Sequence, residues 1–395
     1  MSLLWESTIQ QELHALDDDH LNRHLIPTAD SQRPVLIREG KRMVNFSSNN
    51  YLGLAGNPRL MRAMREAAEK GSGSTASRLI IGHSEETEEL ERELAAFKGT
   101  ESAAVFPNGY MANLGLLSTF LKPSDAVFSD QWNHASIVDG IRLSRAAKYI
   151  YRHLDLDHLE KLLKKADEKG IKRKLIVTDT VFSMDGDVAP LKELVELKKR
   201  YDAAIVVDDA HGGGVFGKQG KGMAHELGVD QDIDLYMGTF SKAFGVYGAY
   251  VAGARDWIRY LINKCRPFIY TTALPPVVTA AIRASLRLIS EADLLRRDLL
   301  QKSAWFRQQL KDLGLDVAGS TTQIIPIVVG ENDKALRFSH WLQEQGFLAV
   351  AIRPPTVPAG TARLRFSLMA NHREEDLRQA IDAVKQWIEK EHGSL

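Results

Sequence analysis

"KLIVTDTVFSMDGDVAPLKELVELKKRYDAAIVVDDAHGGGVFG", residues 174–217, reads as strand, loop, helix, strand and loop. "KLIVTDT" (174–180) and "AAIVVDD" (203–209) are short β-branched apolar runs ending in acids. Between them "LKELVELKKRYD" (191–202) repeats its apolar residues at helical spacing. A helix between two such strands returns the chain to the same end of a sheet, which makes the strands parallel. The rhythm continues on both sides, from about residue 100 to about 255. "SAAVF", "DAVFS", "AKYIY", "DLYMGTF" and "GAYVAG" are further strands, and "LDHLEKLLKKADEKG" is a further helix. The class expected is α/β: a mostly parallel central sheet flanked by helices.

Outside this region the pattern changes. Residues 1–45 read as an N-terminal arm: an amphipathic helix from Leu3 to Leu16, then a polar stretch ending in "LIREGKRMVNF". Residues 46–285 form the expected large domain. Residues 286–395, with the helical tract "VTAAIRASLRLISEADLLRRDLLQKSAWFRQQLKDLG" leading into them and "EEDLRQAIDAVKQWIEKE" near their end, read as a smaller α/β domain. The chain has 395 residues, enough for two or three packed units. Lys+Arg and Asp+Glu both number 51, so no overall basic field recruits nucleic acid or an acidic membrane. The single cysteine, Cys265, excludes an intrachain disulfide and a cysteine-based zinc cluster. The acidic start "MSLLWESTIQQELHALDDDH" lacks the pattern of a signal peptide, and no apolar run is long enough for a membrane span. A cytoplasmic setting is expected.

In open α/β sheets, ligands bind outside the carboxyl ends of the strands, and the polar residues capable of chemistry cluster there. "SAAVF" leads into "PNGYMANLGLL", where Gly109 opens a helix whose free N–H groups suit a phosphate; an ordinary strand–turn–helix joint reads the same way. His134 lies just past "DAVFSD", where a capping or core histidine is the plainer reading. Ser183 follows "KLIVTDT". Asp208 closes an apolar run, with His211 three residues on; a buried carboxylate needs a cation or several donors, unless it serves as a helix cap. Gly212, Gly214 and Gly217 match G-x-G-x-x-G, but Gly220 and Gly222 break the helix that motif requires. "HGGG" resembles an esterase oxyanion loop, yet no G-x-S-x-G supplies a nucleophile. In "GTFSKAFG" (238–245), Lys242 follows a buried-looking strand, between Ser241 and small residues. Lysine heads ordinarily stay in water. A phosphate cradle, an imidazole, a buried acid and a lysine at one sheet edge together suit one cofactor, pyridoxal 5'-phosphate, which forms a Schiff base with lysine and sets an acid against its ring nitrogen.

The chain resembles the α-oxoamine synthases, fold-type I pyridoxal-phosphate enzymes that join an amino acid to an acyl-CoA with loss of CO2. The resemblance rests on "SSNNYLGLA", "GSGSTASRLIIGH", "SDQWNHASIVDGIRLS", "VTDTVFSMDGDVAPL", "VVDDAHGGGVFG", "GTFSKAFG" and "IRPPTVPAGTARLRFSL", in that order along nearly the whole chain. It implies that Lys242 is the Schiff-base lysine and Asp208 the partner of the ring nitrogen. His211 and Ser183 would contact the ring hydroxyl, and His134 would stack on the ring and help proton transfer. Gly109, Tyr110, Thr239 and Ser241 would surround the phosphate. A threonine of "FIYTTALPP" would reach the phosphate of the other subunit of a homodimer, with Thr271 favoured over Thr272. Arg365 would hold the amino-acid carboxylate, while Arg23 and Thr356 would lie near the acyl group. Two departures stand out: "HGGG" in place of His-Ala/Ser-x-Gly, and Tyr247 and Ala249 where smaller residues or glycine are usual. The substrates expected are L-alanine and pimeloyl-CoA, or the pimeloyl thioester of acyl carrier protein. The alternatives are glycine with acetyl-CoA, or a non-catalytic partner subunit, which should have lost its lysine.

Overall fold

The computed structural model describes residues 3–392. In chain order its strands are β1 (Thr28–Ala29), β2 (Val35–Arg38), β3 (Lys41–Asn45), β4 (Ser102–Phe106), β5 (Ala126–Asp130), β6 (Ala147–Tyr151), β7 (Lys174–Asp179), β8 (Ala204–Asp208), β9 (Leu235–Thr239), β10 (Ala249–Gly253), β11 (Ile324–Gly330), β12 (Phe347–Leu348), β13 (Val350–Ile352) and β14 (Ala362–Ser367). The chain divides into two compact units, one of residues 49–183 and 187–298, the other of residues 1–48, 184–186 and 299–395.

The first unit holds a seven-stranded sheet in the order β4-β10-β9-β8-β7-β5-β6. The neighbouring pairs from β9 through β8, β7 and β5 to β6 are parallel, and β10 runs antiparallel to both its neighbours. The near-continuous apolar runs follow from this layout, since a strand covered by helices on both faces has no solvated side. Every residue of β5, β9 and β10 is buried. Ala104, Leu116, Val127, Ile137, Val206 and Met237 belong to one core cluster, which includes residues of the helices Gly109–Phe120 and Ala135–Ser144. At about 25 cal/mol per Å² of apolar surface removed from water, such clusters supply most of the drive to fold.

The second unit has two sheets, β1-β2-β3-β12 and β11-β14-β13. Its division of the chain differs from the expected 1–45, 46–285 and 286–395. The segment expected to form an arm joins C-terminal residues, because β3 pairs in parallel with β12 and places Leu36, Met43 and Leu348 in one small core. The long helical tract is two helices, Pro276–Glu291 and Asp293–Asp312, interrupted at Ala292. There Arg296 Nη1 donates to the Ile289 carbonyl at 2.6 Å and satisfies a helix end that continuation would otherwise have used.

Candidate active site

Five strand ends bring their following residues to one edge of the large sheet. A cavity of about 160 Å³ there is lined by Gly109, Tyr110, His134, Asp208, His211, Thr239, Ser241 and Lys242, with Asn113, Ser136, Asp179, Ala210 and Met237 completing the wall. Of the residues expected at the cofactor, Ser183 and Thr271 do not line it; both are half-buried, Ser183 in the turn after β7 and Thr271 in a bend after the helix Arg266–Ile269. Thr272 is exposed and bridges to Ser77.

Asp208 ends β8 with 4% of its surface exposed. Its Oδ1 accepts the Ala210 N–H at 2.9 Å and its Oδ2 the Asn113 side-chain N–H at 2.8 Å. Asp209, next in the chain, faces the other way, as alternation along a strand requires. It accepts from Thr180 Oγ1 at 2.8 Å and the Met223 N–H at 3.2 Å, and pairs with the buried Lys98 Nζ at 3.4 Å. The Lys98 ammonium also lies 4.3 Å from the centre of the Tyr236 ring. Burial holds Lys98 below the usual lysine range and Asp209 above the usual carboxylate range, each opposed by the other's charge. The glycines after His211 serve this pair. A Cβ on Gly212 or on Gly222, whose φ is +112°, would overlap the Asp209 carboxylate.

His134 caps the helix Ala135–Ser144. Its backbone N–H donates to Asp179 Oδ2 at 2.9 Å, and its Nδ1 meets Ser136 Oγ at 2.7 Å. Burial lowers its pKa; the Asp208 charge opposes that shift and the Lys242 charge adds to it. Asp179, in register with Asp208 across β7 and β8, is pushed well above the carboxylate range by burial and then by that neighbouring charge. His211 Nδ1 lies 2.6 Å from Tyr51 Oη.

The sequence reading missed this supporting set. Asn113 is one helical turn past Gly109, on the same helix face, and that spacing was the available signal. Asp179 ends a strand as Asp208 does. Tyr51 carries no local signal beyond its place in "SSNNYLGLA".

Two features say what guest the cavity accepts. Thr239 Oγ1 is buried without a hydrogen-bond partner, and Gly109, at the N-terminus of its helix, packs so close to Thr239 that a Cβ there would come within 2.6 Å of Thr239 Cγ2. An anion is expected at that end. A buried carboxylate calls for a protonated nitrogen, and a lysine amine at the same edge condenses with a carbonyl. Pyridoxal 5'-phosphate has all three groups, and the residues fit it. With this sheet they define a fold-type I pyridoxal-phosphate-dependent enzyme, of the α-oxoamine synthase type.

The sequence matches the family "Aminotransferase class I and II" over residues 41–384, and the chain belongs to it. It is 50% identical over 385 residues to a protein from Bacillus cereus (strain Q1) provisionally named 8-amino-7-oxononanoate synthase, covering 97% of each chain. Its fold is similar to that of Sphingomonas wittichii serine palmitoyltransferase, with a TM-score of 0.91, 33% identity and 98% of each chain covered. It is also similar to 8-amino-7-oxononanoate synthase from Francisella tularensis, with a TM-score of 0.78, 30% identity, and 89% of this chain and 99% of that one covered. Serine palmitoyltransferases of the same fold carry the cofactor, and pyridoxal 5'-phosphate is the cofactor here.

The remaining expected residues belong to the other unit. Arg23 is exposed and its Nη2 donates to the Pro354 carbonyl at 3.3 Å; Thr356 is exposed, with its N–H on the Arg353 carbonyl at 3.1 Å. The fold thus brings the Arg23 and Thr356 segments together. Arg353, which no motif reading singled out, donates to the carbonyls of His20 and Asn22. Arg365 is buried in β14, 2.7 Å from Ser367 Oγ. Among the described residues no helix is long and apolar enough to cross a membrane.

Proposed function

We propose that this enzyme condenses L-alanine with a pimeloyl thioester, of CoA or of acyl carrier protein, forming 8-amino-7-oxononanoate for biotin synthesis and releasing CO2 and the free thiol of the carrier. The observation that carries the reading is the 50% identity to the Bacillus cereus protein over 97% of both chains. Bound pyridoxal phosphate supplies an electron sink for the charge that develops at the amino acid's α-carbon. Asp208 keeps the ring nitrogen protonated. Lys242 would hold the cofactor through its amine, and that amine would move the α-proton. His134 would cover the ring and His211 contact its hydroxyl; Ser183, which does not line the cavity, would reach that hydroxyl only after a shift of the turn that follows β7. Gly109, Tyr110, Thr239 and Ser241 hold the phosphate. Arg365 receives the amino-acid carboxylate in a charge-assisted pair, and Arg23 and Thr356 border the acyl substrate.

The working form in this reading is a homodimer with shared active sites, Thr271 reaching the partner's phosphate. The apolar surface beside that segment supports it: Leu79, Ile80, Ile81 and Tyr270 are 52%, 75%, 80% and 72% exposed. The similarity to serine palmitoyltransferases favours a second reading, with serine and a palmitoyl donor. Mass spectrometry of products separates them. L-alanine, glycine and L-serine are each incubated with pimeloyl-, acetyl- and palmitoyl-CoA. The first reading requires 8-amino-7-oxononanoate as the dominant product, and a dominant serine–palmitoyl or glycine–acetyl product overturns it.

A further inference from the structure

In the wall of the cavity one side chain links Asp208 directly, and His134 through Ser136, the two groups that would face the cofactor ring. Asn113 is buried, and its Nδ2 lies 2.8 Å from Asp208 Oδ2 and 2.9 Å from Ser136 Oγ. An amide nitrogen carries two hydrogens and accepts nothing, whereas a carboxylate only accepts. The amide's orientation is therefore dictated, since turned over it would set Oδ1 against Asp208. Both its hydrogens are committed. Ser136 receives one of them and directs its own proton to His134 Nδ1 at 2.7 Å, where the Ser136 backbone N–H also arrives at 3.2 Å. A ring nitrogen facing two donors is the unprotonated one, which leaves the imidazole hydrogen on Nε2.

We propose that Asn113 is a positioning residue: its amide aims the Asp208 carboxylate and, through Ser136, decides which nitrogen of His134 carries the proton. The groups facing His134 are Asp208, Lys242 and Asp179, with the Tyr110 ring 6.4 Å from the imidazole and its hydroxyl on Asp139. A second proton on His134 would have to sit on Nδ1. The Ser136 hydroxyl would then turn away and its backbone N–H would lose an acceptor. While Asn113 donates to Ser136, the network opposes that proton. The Asp208 arm rests on the role proposed for Asp208; the His134 arm does not.

The test uses the holoenzyme with Asn113→Leu, Asn113→Ala and Ser136→Ala. Imidazole nitrogen NMR across pH reads the tautomer and titration of His134, titration of apoprotein reads pyridoxal-phosphate affinity, and thermal melting reads stability. Both Asn113 variants are expected to raise the His134 titration by about one unit and to weaken cofactor binding about tenfold. Ser136→Ala is expected to raise the His134 titration alone, leaving cofactor affinity unchanged. A hydrogen on Nδ1 of the wild-type ring overturns the proposal. So do Asn113 variants that melt lower while keeping the wild-type tautomer, titration and affinity, and so does a Ser136→Ala enzyme with an unmoved His134 titration. If Asp208→Asn keeps wild-type cofactor affinity and absorption, the role of Asp208 fails instead, and the His134 measurements still decide the role of Asn113.

Discussion

Asp208 and Asp209 differ by one position and face opposite surroundings, so the same substitution should fail in opposite ways. Asp208→Asn keeps the shape but replaces one of the two acceptor oxygens with an N–H donor, so only one of the bonds from Ala210 and Asn113 survives. It should abolish turnover with a smaller drop in melting temperature than Asp209→Asn. Asp209→Asn leaves Lys98 buried without its partner, a loss on the order of 3–5 kcal/mol, and should lower the melting temperature sharply. Turnover and melting curves of the two variants check this, and near-normal turnover of Asp208→Asn would refute the assignment. Lys242→Ala should still bind pyridoxal phosphate through the phosphate cradle and Asp208, with turnover down by more than about 10²–10⁴-fold. Borohydride treatment of the wild type should fix the cofactor to the peptide containing Lys242, and label on another lysine would sink the role. For Arg23→Ala, kcat/KM should fall more for pimeloyl-CoA than for an uncharged acyl-CoA of equal length, because only the first presents a terminal carboxylate. Equal losses would remove Arg23 from acyl recognition.

Three connecting segments of the large sheet are stapled by His153. Its Nδ1 lies 2.9 Å from Asp130 Oδ1, at the end of β5, and its Nε2 2.6 Å from Asp187 Oδ2, in the loop after β7. The Trp132 ring stacks on it at 3.9 Å between centroids. Burial disfavours the imidazolium, but the hydrogen bonds to Asp130 and Asp187 outweigh it and hold the pKa at about 9. The unfolded value is about 6.5. A folded pKa raised in this way contributes stability that is fully present below about pH 6.5 and is lost as pH rises through about 9, in total on the order of 3 kcal/mol. His153→Gln should therefore melt well below wild type at pH 6, with the gap narrowing by pH 9.5. A gap that stays constant with pH would show that the charge contributes nothing. The staple also holds the loop from β5 that delivers His134, so its loosening should reach the cavity.

The assembled protein is where Thr271 is to be tested. Mixing inactive Lys242→Ala chains with inactive Thr271→Ala chains should restore part of the activity if each active site draws on both subunits, since heterodimers then hold one site with neither lesion. No recovery after verified subunit exchange would remove Thr271 from the partner's phosphate. The exposed Ile80 and Ile81 belong to the same test: Ile81→Asp should shift sedimentation toward monomer and lower activity together.

Much of this protein could be read directly from its residues. Strands and helices declare themselves through spacing between near neighbours, and "KLIVTDT", "AAIVVDD" and the helix between them carried the parallel sheet. Lys242, Asp208, His134 and Gly109 were visible because strand ends in such a sheet converge. What a linear pattern cannot hold is pairing between distant segments and the face a side chain takes. The union of β3 with β12, which draws residues 1–48 into the C-terminal unit, depends on partners some 300 positions apart. Which of two adjacent acids meets the cavity depends on where β8 sits against β7 and β9. The link from Asp208 through Asn113 and Ser136 to His134 exists only because two helices and a strand end at the same place. Local periodicity is set by the covalent chain, whereas hydrogen-bond partners are set by packing, and only the tertiary structure decided those.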